Sequence, residues 1–514
     1  MDNAALARRA GRNTIGDAVG RAAERFRDRV ALRFGAHEWS FRALDAATSR
    51  IAARLLALGL APGDRVVAFG RNSDRYLLCW IACCKAGVIH VPANYALSAT
   101  ELSYIVAQCG ARMVLHDPSL AATAHAAGAA ATEPFEWIMP GGEAAAGEVG
   151  EGASDDDIAQ ILYTSGTTGA PKGAMLTHRA LLSEYVSCIV ACDYADADRS
   201  LAALPLYHTA QMHAFVMPQL LAGAESLLIE SPVPALCLEL IEQRRITSFF
   251  APPTVWINLL RHPDFATRDL GSLRKAYYGA AIMPVPVLHE LRRRLPGIQA
   301  YNCYGQSEIS PLATLLKPEE HDARPASVGR PVLNVRTRVV DLEMNDMPPG
   351  EPGEIVHRSP HLMLGYWGKP EETASAFEGG WFHSGDIGHF DAEGYLYVVD
   401  RIKDVINTGG VQVASREVED ALFTHPAVSE VAVIAVPDAK WIEAVAAVVV
   451  LRDGASATEA ELVEHARGTL APSKLPKRVF FAESLPKNTA GKLLKRELRL
   501  HYSGTGSAVM GIER

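Results

Sequence analysis

A loop rich in glycine and hydroxyl side chains follows an apolar run in the first half of the chain. The run Ile158–Tyr163 is compact and largely apolar, which predicts a buried strand. The next residues, Thr164–Gly173, include four Ser or Thr, three Gly and Lys172. Glycine lets backbone N–H groups turn towards an anion, and Lys172 adds positive charge, so this composition predicts a polyphosphate site. The chain must therefore fold so that a buried strand ends in an anion-binding loop.

Two other interpretations of this loop are weaker. A P-loop of the Gly-x-x-x-x-Gly-Lys-Ser/Thr type is excluded, because Pro171 stands where its second glycine would be. A flexible linker is disfavoured, because linkers do not usually follow a buried strand and carry a lysine.

Composition and charge exclude several classes of protein. The 514 residues suffice for about two to four domains. They are 48% hydrophobic and 21% charged, which excludes a disordered chain. The net charge of −9 gives no basic footprint for nucleic acid, so we expect no nucleic-acid partner. Apolar runs such as Ala444–Leu451 are far shorter than the roughly 20 residues that span a membrane, and we expect no signal peptide. The eight cysteines predict buried packing thiols in a cytoplasmic protein.

The order of predicted elements indicates more than one unit. Strands alternate with helices up to about Tyr278, which predicts a parallel α/β sheet. Residues 118–157 are rich in Ala, Gly and acidic residues, so we expect a surface excursion there. After Val332, short alternating runs between turns predict a small β-rich subdomain. A charged joint at Asp400–Asp404 precedes a stretch, residues 404–500, that predicts a compact α+β unit.

The loop at 163–173 resembles the phosphate loop of the AMP-forming adenylate-forming enzymes, which include acyl-CoA synthetases, firefly luciferases and peptide-synthetase adenylation domains. The family's other motifs follow in the same order over residues 15–500. The resemblance implies an α/β fold, with a large N-terminal domain of two α/β sheet subdomains plus a β-rich subdomain, and a small mobile α+β C-terminal domain. It implies an adenylation domain at 1–400, a hinge at 401–403, a C-terminal domain at 404–503 and a loose tail at 504–514.

The resemblance also implies where the nucleotide binds. Tyr304–Glu308 resembles the family motif in which the tyrosine stacks on adenine and the glutamate holds Mg²⁺. Ser307 replaces the usual threonine and keeps its hydroxyl. Trp381–Asp386 resembles the motif whose aspartate takes both ribose hydroxyls, and Arg401 would also reach the ribose. The implied ATP- and AMP-binding residues are Thr164, Ser165, Gly166, Thr167, Thr168, Gly169, Lys172, Gly279, Ala280, Ala281, Tyr304, Gly305, Ser307, Asp386 and Arg401.

Three side chains are implied to act in the chemistry. Lys492, in the motif Pro486–Lys492, would contact the substrate carboxylate and the α-phosphate. His208 would lie beside the carboxylate, and Glu308 would hold Mg²⁺, the expected metal cofactor.

The C-terminal motifs imply a moving domain. Lys403 would be the hinge residue, and Gly409 and Gly410 would line the tunnel for the pantetheine arm of CoA. Ser415 replaces a common proline, and little consequence is expected from this change.

The acid pocket is expected between four segments, Tyr207–Met217, Phe249–Trp256, Tyr277–Met283 and Ile309–Leu315. Tyr207, Phe215, Trp256 and Met283 are its predicted walls. Apart from Arg274 and Lys275, just outside one strand, these segments contain no Arg or Lys. A dicarboxylate would need a second buried cation, so we expect an apolar monocarboxylic acid, fatty or aryl.

The resulting hypothesis is an acid–thiol ligase that uses ATP and CoA as co-substrates. It would form acyl-AMP and pyrophosphate, and then acyl-CoA and AMP. An enzyme that delivers the acyl group to the phosphopantetheine thiol of a carrier protein is the alternative, and luciferase-type oxygenation is a further option. A non-catalytic nucleotide-binding regulator is disfavoured, because Glu308, Asp386, Arg401 and Lys492 are all present. A homo-oligomer is possible.

Overall fold

The computed structural model of the protein describes residues 7, 10–139, 153–164, 170–281, 283–438, 440–488 and 493–503. Several predicted residues lie outside this described part: Ser165, Gly166, Thr167, Thr168 and Gly169 of the phosphate loop, Lys492, and the predicted tail 504–514.

Helices are distributed along the whole described chain. The α-helices are α1 (Ile15–Phe26), α2 (Phe41–Ala57), α3 (Asp74–Ala86), α4 (Ala99–Cys109), α5 (Ala121–Ala126), α6 (Phe135–Ile138), α7 (His178–Ala191), α8 (Met217–Ala222), α9 (Pro234–Gln243), α10 (Pro253–Arg261), α11 (Val285–Arg294), α12 (Pro370–Ala376), α13 (Ser415–Phe423), α14 (Glu459–Arg467) and α15 (Lys495–Tyr502). A π-helix, Ala210–Val216, runs directly into α8.

The strands belong to four sheets. They are β1 (Val30–Phe34), β2 (His37–Ser40), β3 (Arg65–Phe69), β4 (Ile89–Ala93), β5 (Met113–His116), β6 (Ala131–Pro134), β7 (Ile158–Thr164), β8 (Lys172–Thr177), β9 (Arg199–Ala202), β10 (Glu225–Leu228), β11 (Ser248–Ala251), β12 (Lys275–Gly279), β13 (Gln299–Tyr304), β14 (Thr314–Leu316), β15 (Arg330–Pro331), β16 (Arg336–Val340), β17 (Gly353–Arg358), β18 (Phe382–Phe390), β19 (Leu396–Arg401), β20 (Ile406–Thr408), β21 (Val411–Val413), β22 (Val428–Asp438), β23 (Ile442–Leu451) and β24 (Arg478–Phe481).

Two large, mainly parallel sheets form most of the molecule. One has nine strands in the order β15-β14-β13-β12-β11-β9-β10-β1-β2, and the other has six in the order β6-β5-β3-β4-β7-β8. Both sheets bury apolar strand residues against helices. Trp80 on α3 and Trp256 on α10, for example, are fully buried. The alternation of strands and helices in the sequence correctly predicted these layers.

Two smaller sheets follow in the chain. Strands β16–β19 form an antiparallel four-stranded sheet, and β20–β24 form a five-stranded sheet packed with α13, α14 and α15. These are the β-rich part and the α+β part that the sequence predicted. The division of the chain at 401–403 stays a prediction.

The structure differs from the sequence prediction in two places. Residues 118–157 are not simply a surface excursion, because β6 extends the six-stranded sheet, and Phe135 and Ile138 of α6 are buried. Strand β8, which follows the phosphate loop and pairs with β7, was not predicted, because its residues are too mixed in polarity to stand out in the sequence.

Candidate active site

The two ends of the phosphate loop meet Glu308. Strands β7 and β8 are antiparallel, so Thr164 pairs with Lys172 at the point where the chain enters and leaves the loop. The Thr164 hydroxyl donates a hydrogen bond to Glu308 Oε1 over 3.3 Å, and the Tyr366 hydroxyl donates to the same oxygen over 3.0 Å. Lys172 Nζ lies 5.2 Å from the centre of the Tyr366 ring. One carboxylate and one ammonium group are thus held at the loop.

A second carboxylate, Asp386, is the centre of a hydrogen-bond network. Strands β18 and β19 pair Asp386 with Arg401, whose Nε lies 3.0 Å from Asp386 Oδ1. The Tyr304 hydroxyl donates to Oδ2 over 2.8 Å, and Gln306 Nε2 donates to Oδ2 over 2.9 Å. Burial, together with the Asp386 charge, raises the pKa of Tyr304 well above its usual value. The phenol therefore stays a hydrogen-bond donor to Asp386 at neutral pH.

The chain is packed tightly where β12 and β13 end. A Cβ atom on Gly279 would come within 2.2 Å of the Cys303 carbonyl oxygen, and one on Gly305 within 1.9 Å of the Pro311 carbonyl oxygen. Only glycine fits such backbone-to-backbone contacts. Ala280 and Ala281, which follow Gly279, are exposed. Their small side chains leave an open ledge on which a flat ring can lie.

The aromatic and histidine segment lies close to the glutamate motif. The hydroxyls of Thr209 and Ser307 lie 3.1 Å apart, so the residue after His208 contacts the residue before Glu308. The rings of Tyr207 and His208 have centroids 5.3 Å apart, and Tyr207 is buried. The structure thus brings the segment that carries His208 into contact with the Glu308 motif.

Three of the four predicted acid-pocket walls share one apolar core cluster. Phe215, Trp256 and Met283 are all buried in it, and Phe215 stacks on Phe250 with ring centroids 4.0 Å apart. Trp256 donates from Nε1 to the Tyr277 carbonyl oxygen over 3.1 Å. Tyr207 belongs to the neighbouring cluster. The surroundings are apolar, but the wall role of these residues stays a prediction.

The predicted CoA loop is a tight hairpin. Gly409 and Gly410 form the two-residue turn between β20 and β21, with φ values of 61° and 87° that favour glycine. Gly409 also packs against Trp441, because a Cβ there would lie 2.7 Å from the indole ring. The side chain of Lys403 is exposed. Partial desolvation lowers its pKa, and the positive charge of the neighbouring Arg401 lowers it further.

Contacts connect the chain on either side of the predicted hinge. Asp400 Oδ2, at the end of β19, accepts from the Ser415 backbone N–H over 2.5 Å and from the Ser415 hydroxyl over 2.8 Å. Lys495 Nζ donates to the same Ser415 hydroxyl over 2.6 Å. Farther away, Arg261 at the end of α10 donates to the Ser429 hydroxyl over 2.8 Å. A proline at position 415 could make neither bond to Asp400. Ser415 therefore has a larger structural role than the small consequence expected from the sequence.

The sequence analysis missed three residues of the site. Gln306 occupies the variable position of its motif, Thr209 follows the histidine motif, and Tyr366 is 58 positions from Glu308. Of these, only Gln306 lies inside a motif, and no feature of the sequence distinguished it from a spacer.

Comparison with known proteins identifies the family. The model of the AMP-binding enzyme family matches residues 19–367, and that of the AMP-binding enzyme C-terminal domain matches residues 417–492. The chain is 38% identical over 478 residues to a feruloyl-CoA synthase of Amycolatopsis sp., covering 92% of this chain and 96% of the relative. It is 35% identical to the long-chain-fatty-acid–CoA ligase FadD13 of Mycobacterium tuberculosis, covering 91% and 93%. It is 34% identical to the fatty acid–[acyl-carrier-protein] ligase ScoC of Streptomyces coeruleorubidus, covering 90% and 92%.

Solved structures show the same architecture. The ATP-bound structure of MatB from Rhodopseudomonas palustris has a TM-score of 0.89 at 32% identity, covering 96% of this chain and 100% of that one. The apo structure of the same protein, also at 32% identity and covering 96% and 100%, has a TM-score of 0.78. By TM-score, the protein described here is more similar to the ATP-bound structure than to the apo structure.

These relatives confirm the predicted fold class and the prediction of an acid–thiol ligase, with ATP and CoA as the substrates of such a ligase. Within the described part of the chain, no helix is both long and apolar enough to cross a bilayer. The chain belongs to the AMP-binding enzyme family of adenylate-forming enzymes.

Proposed function

We propose that the protein is an AMP-forming acyl-CoA synthetase for an apolar monocarboxylic acid, fatty or aryl. The acid and ATP would form acyl-AMP and pyrophosphate, after which the CoA thiol would attack the acyl carbonyl and release AMP. The observation that carries this proposal is that one segment, Tyr304–Glu308, contacts both the phosphate-loop strand, through Glu308, and Asp386, through Tyr304. Lys172 lies at the end of the same loop.

The chemical problem is the repulsion between two anions, a carboxylate and a triphosphate. Lys172 lies at the end of the phosphate loop, where it can neutralise the β- and γ-phosphates. We propose that Lys492 supplies a second cation between the carboxylate and the α-phosphate. The reaction then needs little side-chain acid–base chemistry, because positioning and charge stabilisation lower the barrier.

The residues at Glu308 suit Mg²⁺. The Glu308 carboxylate and the Thr164 hydroxyl are oxygen donors, which Mg²⁺ prefers, and this ion often combines one or two carboxylates with substrate phosphates. Within the described ranges, no group of three or more His, Cys, Asp or Glu side chains could hold a metal ion alone. When bound, the ion would neutralise charge on the phosphates.

We propose that the Asp386 network holds the ribose and that Tyr304, with the ledge at Ala280 and Ala281, holds the adenine. A carboxylate with two oxygens suits the two hydroxyls of a ribose. Arg401 and Tyr304 orient Asp386, so the carboxylate is in position before the nucleotide arrives.

We propose that the C-terminal unit, residues 404–503, rotates about Lys403 between the two half-reactions. The Asp400–Ser415 bonds connect the two sides of this hinge, so a rotation there would stretch or break them. The closer similarity to the ATP-bound relative supports the assignment of these bonds to the adenylation arrangement.

Replacing Ser415 by proline should therefore lower adenylation selectively. Ser415 is the first residue of α13, where proline is tolerated, and Ala414 before it has φ −68° and ψ 119°, which suit a residue preceding proline. The change removes both bonds to Asp400 and leaves the helix intact. We expect ATP–pyrophosphate exchange to fall about tenfold, with thioester formation from supplied acyl-AMP much less affected.

Two further variants separate the contributions of the two hydrogen bonds between Ser415 and Asp400. Ser415→Ala keeps the backbone bond and should lose less, and Ser415→Thr keeps both bonds and should behave as wild type. An equal loss in both half-reactions would contradict the assignment of these bonds to one arrangement.

One assay tests both the class of acid and whether CoA is the acyl acceptor. Pyrophosphate release is measured with ATP and a panel of octanoate, benzoate, cinnamate, succinate and an amino acid, with and without CoA, and products are identified by mass spectrometry. We expect turnover of the apolar monocarboxylates and acyl-CoA as the product. Preference for succinate or the amino acid would overturn the proposed acid class.

Delivery to a carrier protein is the second candidate, favoured by the similarity to ScoC. It predicts acyl-AMP formation but no acyl-CoA release when free CoA is supplied. The cytoplasmic location and a homo-oligomeric state stay predictions.

A further inference from the structure

Glu184, in the middle of α7, is a fully buried carboxyl group. Its Oε1 accepts a hydrogen bond from the Cys188 thiol over 3.0 Å. Its Oε2 has no hydrogen-bond partner among the residues that the structure describes. Burial raises the pKa of Glu184 well above its usual value, and the Cys188 thiol and the Leu312 backbone N–H only partly offset this rise. Burial therefore favours the neutral acid, which can donate one O–H, over the charged carboxylate.

This arrangement is costly for a purely structural side chain. A buried polar atom without a partner is destabilising, and a leucine or methionine of similar size would avoid that loss. No proposed catalytic step uses Glu184. The unpaired oxygen is better explained by a partner that is present only when the substrate is bound.

The surroundings of Glu184 indicate which substrate that is. Its carboxyl faces Leu312, which belongs to the predicted acid-pocket segment Ile309–Leu315. The adjacent Tyr185 hydrogen-bonds His213 over 2.7 Å, in the π-helix that also carries the predicted wall Phe215. Glu184 therefore contacts the Ile309–Leu315 segment, and the helix that carries it also contacts the Tyr207–Met217 segment through Tyr185.

Glu184 contacts the acid-pocket segment away from Glu308. Glu308 lies beside the end of the phosphate-loop strand, whereas the contact of Glu184 is with Leu312, four residues farther along the chain. This placement suits the far end of an aryl acid. A polar group on its ring would then be near Glu184, while its carboxylate would be near the phosphates.

We propose that Glu184 is a specificity-determining residue that donates a hydrogen bond to an oxygen at the distal end of the acid. The substrate class is then an aryl acid with a hydroxyl, methoxyl or keto substituent on an otherwise apolar body. This inference rests on the proposed function and narrows its acid class. A site built to bond such an oxygen discriminates against the analogue without it, because Glu184 is then left unpaired.

Two matched substitutions test the inference in the full chain. Glu184→Met replaces the carboxyl with an apolar side chain of similar length, and Glu184→Gln keeps a hydrogen-bond donor. Each is assayed for acyl-CoA formation with 4-hydroxycinnamate and cinnamate, which differ by one oxygen. Ser187→Ala is the control, because this buried hydroxyl on the same helix lies 3.0 Å from His361 Nε2.

We expect wild type to prefer 4-hydroxycinnamate by about tenfold or more in kcat/KM. Glu184→Met should remove that preference by lowering kcat/KM for the hydroxylated acid while sparing cinnamate. Glu184→Gln should retain part of it, and Ser187→Ala all of it. Thermal unfolding of each variant shows whether it is folded.

Three results overturn the inference. They are a wild type with no preference, a Glu184→Met variant that loses both acids equally, and a folded Glu184→Gln that resembles Glu184→Met. After either of the first two results, a buried water would be the remaining explanation for the unpaired Oε2 of Glu184. If acyl-CoA forms from both acids but their ratio does not depend on Glu184, only this inference fails. If no acid gives acyl-AMP, the proposed function fails with it.

Discussion

Replacing Lys492 by alanine should lower the rate of adenylation by about 10²–10³-fold, the scale of losing one preorganised charge partner in a transition state. The reason is that the carboxylate and the α-phosphate would approach each other without a cation between them. Conversion of supplied acyl-AMP to acyl-CoA should remain close to wild type, because the anhydride is already formed. ATP–pyrophosphate exchange measures the first step, and thioester formation from acyl-AMP measures the second.

A neighbouring lysine provides the control for this experiment. Lys487 lies in the same motif, but its Nζ is 2.5 Å from Glu430 Oε2, so it is engaged within the C-terminal unit. Lys487→Ala should therefore change both steps little. Equal losses in the two steps for Lys492→Ala would contradict the division of the chemistry between the two arrangements.

Replacing Glu308 by glutamine should lower adenylation by about 10²–10³-fold and raise the Mg²⁺ concentration needed for half-maximal rate. Glutamine has nearly the same shape, but it offers no negative charge to the ion. It can still accept a hydrogen bond from the Thr164 hydroxyl, so local packing should be retained. A titration of ATP–pyrophosphate exchange against Mg²⁺ separates weaker metal binding from loss of fold.

Tyr366→Phe is the matched control for Glu308. It removes only the 3.0 Å bond from the tyrosine hydroxyl to Glu308 Oε1 and leaves the carboxylate charge unchanged. We expect a loss of about tenfold or less and little change in the Mg²⁺ requirement. If Glu308→Gln were as active as wild type at every Mg²⁺ concentration, the proposed metal site would be wrong.

The sequence predicted the elements of this protein better than it predicted their contacts. The phosphate-loop strand β7 and the strand β12 could be located from composition, because each is a largely apolar run that leads into a glycine-containing motif. Strand β8 could not, because its residues carry no clear alternation and its pairing with β7 is specified by tertiary structure. The burial of Phe135 was missed for a similar reason, since it lies in a stretch dominated by small and acidic residues.

The site shows the same limit at the level of side chains. Asp386 and Arg401 were named separately by their motifs, and only the pairing of β18 with β19 reveals that they form one ion pair. Gln306, Tyr366 and Ser415 gained their importance from partners that are distant in sequence or in variable motif positions. Glu184 gave no signal in the sequence, because a helix with one acidic residue is ordinary until its burial is known.

Binding of a ribose at Asp386, as proposed above, would change the hydrogen-bond network around this carboxylate. A carboxylate offers about four lone-pair sites, and three donors, from Tyr304, Gln306 and Arg401, already occupy Asp386. A vicinal diol brings two donors, which is one more than the remaining site can accept. One of the three hydrogen bonds to Asp386 must therefore break when the diol binds. A sugar with a single hydroxyl could instead bind to the remaining site without breaking any of them.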